Sequence, residues 1–285
     1  MILFCSFSAG LFAENEVKVE KVDGREYLSK LSSNVSPLNE EIYRLVFEDR
    51  SLLRKRVRAA LKRYLGEEIS TVTVEMTPEE PAKLLGGGFE EISCEMKGTK
   101  IKGLRVDYAW VRMRNCCLNF QKLIEEKKFR FKDEGEVDLL LKVMEDDINE
   151  LFDKKRRKLK VRNPHMDFRP GHLRFSGGIR VLFFNNHVKV AGKLSIRDGE
   201  RVHFHPRWMN LGFLPVPGFI VRSIAGRINP LATFESFKFK ANLSIIETTH
   251  DALFIATESM RSRVDEMVAK NLAARRERLK ERNDD

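Results

Sequence analysis

Cysteine is scarce in this chain, with four in 285 residues. Cys5 falls in an apolar N-terminal stretch, which leaves Cys94, Cys116 and Cys117, an odd number with two adjacent. That excludes a disulfide framework, because adjacent cysteines bridge only with strain. Cys116 and Cys117 read as core-facing and edge-facing neighbours on a strand, with a redox role as the other reading. Tryptophan and tyrosine are also few, two and four against 20 phenylalanines, so the expected core is stocked with fully apolar aromatics. Long apolar runs are missing as well. Nothing approaches the roughly 18 to 20 residues that cross a bilayer as a helix, so a mature chain that is soluble or peripheral is expected.

The usual chemical motifs are equally sparse. No serine sits in a G-x-S-x-G turn. Gly86-Gly87-Gly88 leads into strand-like sequence rather than a helix start, so it lacks the setting of a phosphate-binding loop. Among the histidines only His203 and His205 have suggestive spacing, two apart on one strand face, and no close Cys, Asp or Glu completes a metal set. The paired carboxylates Glu90 and Glu91, Glu125 and Glu126, and Asp146 and Asp147 fall at helix starts or on exposed strands, where acids are expected for local reasons. The expectation is a protein that is not an enzyme, with no catalytic residue, metal or cofactor.

What is abundant is charge. A third of the residues are charged and the net charge is +10, which suits any anionic partner, whether membrane, nucleic acid or acidic polymer. Only Lys154 to Lys160 and Arg275 to Arg282 are locally dense in base, and both read as solvated helix faces. Arg105, Arg112 and Arg114 interleave with Tyr108 and Trp110 like a base-stacking platform. On a strand, however, Arg105 faces away from Arg112, Tyr108 and Trp110, and no nucleic-acid partner is expected.

Met1 to Ala13 carries no charge and gives way abruptly to Glu14-Asn15-Glu16, as in a secretory signal peptide in shortened form, without its basic start. The other reading is a buried N-terminal strand. From Ser36 to Gly66 apolar residues recur at intervals of three and four, predicting one long helix with Pro37 in its first turn. The period then changes to two, and strands are expected around Thr71 to Met76, Phe89 to Met96 and Leu104 to Met113. On the last of these Leu104, Val106, Tyr108 and Trp110 share one face. A short helix over Asp146 to Lys158 has acids first and bases last. A meander follows, with turns at Pro170-Gly171, Gly177-Gly178, Asn185-Asn186 and Asp198-Gly199, and the chain breaks over Pro206 to Pro217. An apolar helix before Asn229-Pro230, a last hairpin around Thr249-His250-Asp251 and a charged helix from Ser259 complete the chain, its last ten residues expected to fray.

The predicted class is α+β, an elongated, curled antiparallel meander wrapped around helices, with a long N-terminal helix and a charged C-terminal one. The segments are 1–13 signal peptide, 14–66 helical, 67–258 the β domain and 259–285 the C-terminal helix. Val181-Leu182-Phe183-Phe184, Leu139-Leu140-Leu141 and Leu243-Ser244-Ile245-Ile246 are apolar on both faces, so a second layer must cover the sheet. The helices at Ser36 to Leu65, Asp146 to Lys158 and Pro217 to Ile228 are the candidates to supply it.

Leu84 to Ser93 (LLGGGFEEIS), Gly98 to Val106 (GTKIKGLRV), Glu145 to Leu151 (EDDINEL) and the strand-rich stretch ending His203-Phe204-His205-Pro206 form an ordered set of motifs. With Leu214-Pro215, Asn229-Pro230 and Asp251 to Ile255, that set resembles the LmeA-like phospholipid-binding family of bacterial secreted proteins, over about Ile69 to Glu258. The resemblance implies a fold similar to tubular lipid-binding proteins, a cell-envelope location and an apolar cavity for phospholipid acyl chains. It supplies no catalytic residue. From pattern alone, Trp110, Phe183, Trp208, Phe219, Ile220 and Ile224 are candidate cavity-lining residues, and ordinary core packing is the alternative for each. The expected ligand is phospholipid or another long apolar molecule, with an anionic membrane surface as a further partner. The competing expectation is an envelope scaffold of the same fold, packed solid and binding a protein.

Overall fold

The structure, a computed structural model, describes residues 37–65, 71–77, 81–101, 104–159, 161–181, 184–212, 214–219, 221–222, 229–234 and 240–284. The proposed signal segment with Cys5 lies outside them, as do Ser36, Gly66, Phe183, Ile220 and Ile224.

The single N-terminal helix expected from the spacing is not what forms. A short helix α1 (Pro37–Tyr43) passes into a π-helical turn, Arg44–Glu48, and stops at Asp49, whose φ of −135° and ψ of 70° are not helical. Asp49 then starts α2 (Arg50–Leu65): its carboxylate accepts from the Leu52 N–H at 2.9 Å and from the Ser51 hydroxyl at 2.8 Å. Those two bonds hold its pKa below the usual carboxylate value. The apolar stripe survives the break, with Leu45 and Val46 buried before it and Leu53, Val57, Ala60 and Leu61 after it.

In chain order there follow β1 (Thr71–Thr77), α3 (Pro81–Leu85), β2 (Gly88–Ile101), β3 (Leu104–Leu118), α4 (Phe120–Ile124), β4 (Phe131–Asp133) and β5 (Glu136–Met144). After α5 (Glu145–Leu159) come β6 (Arg162–Arg169), β7 (His172–Val181), β8 (Phe184–Arg197), β9 (Arg201–Leu211), β10 (Leu214–Pro215) and β11 (Ala232–Thr233). The chain ends with β12 (Leu243–Thr248), β13 (Ala252–Thr257) and α6 (Arg261–Asp284).

These strands make an α+β structure with two antiparallel sheets rather than one. The first runs β1-β2-β3-β5-β13-β12 with β4 on β3, and the second β10-β9-β8-β7-β6 with β11 on β9. The second sheet is therefore inserted in sequence between β5 and β12. Helix α5 joins the two. Its Asn149 side chain pairs with both the N–H and the C=O of Met166, and its Glu145 accepts from the Phe168 N–H at 2.6 Å, so the helix is fixed against the edge strand β6.

The first sheet is covered on both faces, as its two-sided apolar strands require. Leu139 and Leu141 of β5 enter a large core shared with α2, while Leu140 between them enters a smaller cluster with Phe254, Met260 and Val264. The cover on that outer face is α6, which the weak apolar stripe had suggested was a charged tail. It lies back along β13, and Arg278 reaches Asp251 at 3.1 Å.

Other expectations shift in detail. Gly177 and Gly178 are not a turn but part of β7. A Cβ on Gly177 would lie 2.4 Å from the Val161 side chain, so glycine admits the bulged start of β6. Asn185 and Asn186 lie inside β8, and the hairpin instead closes between Val181 and Phe184. Pro206 does not break the chain either, because β9 continues to Leu211 with a register shift opposite Ala191 and Gly192, which accommodates a residue with no N–H. On β3 the register with β2 runs unbroken past Asp107, and residues of one face divide between two clusters. Val106 joins the large core with Ala109, Val111 and Met113, whereas Tyr108 and Trp110 face α6. At the α3–β2 turn Gly87 has φ 88°, and a Cβ there would meet the Leu118 carbonyl oxygen at 2.2 Å, so this one glycine is required twice over.

Candidate functional site

Alternation along β6 to β9 sends Met166, Phe168, Leu173, Val190, Val202 and Phe204 into the same large core that receives Leu53, Val57 and Leu61 from α2. That core is continuous from the N-terminal helices through both sheets.

The three candidate lining residues that are described, Trp110, Trp208 and Phe219, are dispersed. Trp110 stands on the outer face of the first sheet, with the Arg263 guanidinium 3.8 Å from its ring centroid and that of Arg112 at 5.4 Å. Arg263 also donates to the Tyr108 hydroxyl at 2.7 Å. The stacking face that Trp110 would offer to a base is thus taken by α6. Behind it Asp138, buried, accepts from Arg112 at 2.8 Å, lies 3.3 Å from Arg114, and accepts from the Ser259 hydroxyl. Trp208 and Phe219 sit elsewhere, on β9 and in the segment after β10, and they share no described pocket with Trp110. Both are exposed.

Those two belong to a set. Among the described residues the exposed large apolar side chains are Trp208, Leu214, Phe219 and Leu231, 42% to 66% accessible, and all fall between positions 208 and 231. The local backbone brings several of them to one region. Leu214 and Pro215 pair with Leu211 and Asn210, and the Val216 N–H donates to the Met209 carbonyl at 2.9 Å, so this segment folds back on the end of β9.

Two clefts among the described residues, lined mostly by charged side chains, lie on the other sheet. One of about 390 Å³ is bordered by Lys97, Arg105, Asp107, Tyr108, Lys142 and Met267, and its neighbour of about 350 Å³ by Lys100, Arg105, Asp147, Glu150 and Lys154. Their charges are already matched. Lys142 is 2.8 Å from Asp107, Arg105 is 3.8 Å from Asp147, and Lys154 pairs with Glu150. Burial raises the Asp147 pKa, and Arg105 opposes that rise. Charged side chains form most of both walls, with Tyr108 and Met267 in the first cleft and Leu151 in the second as the apolar exceptions.

Among the described residues Cys94, Cys116 and Cys117 are free and buried. Burial pushes the Cys94 and Cys116 thiols up to about 12, so at neutral pH they are protonated and poor nucleophiles. Cys117 does not lie at an edge as expected. It is buried and its thiol donates to the Gly86 carbonyl at 3.5 Å. His205 meets the Ser195 hydroxyl at 2.6 Å, and no group of three His, Cys, Asp or Glu close enough to hold a metal occurs among the described residues. No described helix is long and apolar enough to cross a membrane. Comparison of the chain with protein-family models, curated proteins and solved structures finds no match.

Proposed function

We propose that the chain is an extracytoplasmic, non-catalytic lipid-binding protein. It receives phospholipid acyl chains at the apolar end of the second sheet and shields them between sheets and helices that curl as a tube. The observation that carries this reading is the confinement of every exposed large apolar side chain among the described residues to positions 208–231. Leu214 lies at the Leu211 end of β9 and Leu231 near Val202 at its other end, and exposed apolar side chains on an otherwise charged surface suit an apolar partner. Tryptophan among them suits the boundary between headgroups and acyl chains. The ordered motifs from Ile69 to Glu258 that resemble a phospholipid-binding family support the same reading, as does the apolar start Met1 to Ala13 for the compartment.

Native mass spectrometry and organic extraction of the purified protein test it, together with uptake of a fluorescent phospholipid. Copurified lipid is expected, and uptake should fall in a Leu214→Ser/Phe219→Ser variant. A lipid-free protein that takes up none sinks the reading.

A second reading, an envelope scaffold that docks a protein, is favoured by the continuous core through both sheets, which leaves α2, β5 and β6 to β9 packed against one another. It expects no bound lipid and a protein crosslinked through the basic stretch Arg275 to Arg282.

A further inference from the structure

Once Met166, Phe168, Leu173, Val190, Val202 and Phe204 point inward, their neighbours on β6 to β9 form the outer face of the second sheet. Cross-strand partners share a face, so the register arranges that face in rows. Asp167, Arg174, Ala191 and Trp208 make one row, and His165, Ser176, Lys189 and Asn210 the next. Further rows pair Arg169 with His172, Lys193 with His205, Ser195 with His203 and Arg197 with Arg201, while His187 lies opposite Gly178. Five of the six histidines in the chain thus stand on one sheet face.

They share it with Arg169, Arg174, Lys189, Lys193, Arg197 and Arg201. The rows hold one carboxylate, Asp167, 3.1 Å from Arg169. Around the margin are Glu145 of α5, which senses the charge of His165, and the turn residues Asp198 and Glu200, with Asp198 3.7 Å from Arg201. The short strands β10 and β11 bring no charge. The face is therefore strongly cationic and becomes more so on acidification.

We propose that this face is a docking surface for anionic phospholipid bilayers whose affinity rises as its histidines protonate. The proposal rests on the lipid-binding reading above and adds to it the surface, the lipid charge and the pH dependence. A bilayer is the occupant because two features meet at one end of the face. The cations match anionic headgroups, and Trp208, exposed in the same row as Arg174, suits the headgroup boundary beside the segment that carries the exposed Phe219. A nucleic acid would satisfy the cations and leave those side chains in water.

The direction of the pH effect follows from the neighbours. His203 is held below the ordinary histidine value by burial of its ring, then by Arg197 and His205. An anionic surface offsets that repulsion and favours the imidazolium, so docking and proton uptake reinforce each other. Binding should strengthen as the pH falls through the histidine range.

The test is sedimentation of the full chain with phosphatidylcholine vesicles, with and without phosphatidylglycerol, at about pH 7.5 and about pH 5.5, on either side of the histidine range. Binding is expected only with phosphatidylglycerol, at least about tenfold tighter at the lower pH. An Arg174→Glu/Lys189→Glu/Lys193→Glu variant should lose about a hundredfold or more at both pH values, at roughly fivefold per cation. A His165→Gln/His187→Gln/His203→Gln variant, judged folded by circular dichroism, should keep the binding seen at the higher pH and lose most of the step. Equal binding to phosphatidylcholine alone, no loss on charge reversal, a step preserved in the histidine variant, or tighter binding to a DNA duplex than to the vesicles would each overturn the proposal. Lipid extraction from the same wild-type protein separates the two readings. Docking on anionic vesicles by a protein that carries no lipid leaves this face standing and removes the carrier.

Discussion

Asp138 is a nearly buried carboxylate, with 6% of its side chain exposed, held by Arg112, Arg114 and the Ser259 hydroxyl. Asp138→Ala leaves Arg112 without its carboxylate, while Arg114 keeps Glu136 at 2.9 Å. Breaking a fully buried pair costs about 3 to 5 kcal/mol. The arginine side chains are 25% and 39% exposed, so water recovers part of that, and a loss of about 2 kcal/mol in chemical denaturation is expected. A denaturation midpoint equal to wild type would show that the carboxylate is dispensable. The strand positions of Arg112 and Arg114 were legible from alternation. Their shared acceptor was not, because Asp138 lies 26 residues from Arg112 and 121 from Ser259, and no local pattern links such positions. The same limit hid the histidines. The spacing of His203 and His205 was visible as a pair, but only the strand register sets His165, His172 and His187 beside them.

At the scale of elements, α6 departs furthest from its sequence. Its 24 residues bury Val264 fully and Met267 and Val268 in part, one short stripe on a helix that is otherwise mostly charged. A stripe that narrow reads as a tail. It suffices to cover a sheet because Met260 continues it before the helix and Arg263 adds the contact with Trp110. Val264→Asp places a carboxylate with no partner in that interface and should release the helix, at a cost of about 3 kcal/mol or more. Limited proteolysis would then cut within 261–284, and the emission of Trp110 would shift to the red. A protease pattern and emission spectrum identical to wild type would mean that α6 is a tail after all. Turns show the converse error. Gly177-Gly178 has the composition of a turn, yet it is strand, because what makes the glycines necessary is the approach of Val161, just before β6, and of Arg162 at its start.

At the scale of the whole molecule, the shared core makes a thermodynamic claim. Residues of α2, the first sheet and the second sheet belong to one buried cluster, so the described structure should unfold as one unit despite having two sheets. Phe168, 1% exposed on the second sheet, tests this. Phe168→Ala should cost about 3 to 5 kcal/mol. It should also lower a single calorimetric transition that reports both sheets. Two resolved transitions, with only one moved, would divide the molecule in two.

The α+β class, the antiparallel pairing, the position of α5 and the need to cover the first sheet on both sides followed from sequence alone, because period, turn chemistry and helix charge order are properties of neighbouring residues. The division into two sheets, the use of α6 as the cover, the matched charges of the Arg105 clefts and the gathering of five histidines on one face were decided by tertiary structure. Each depends on which strands pair and in what register, and that is settled by the joint burial of apolar surface from segments up to two hundred residues apart, such as Val57 and Ile255 in one core.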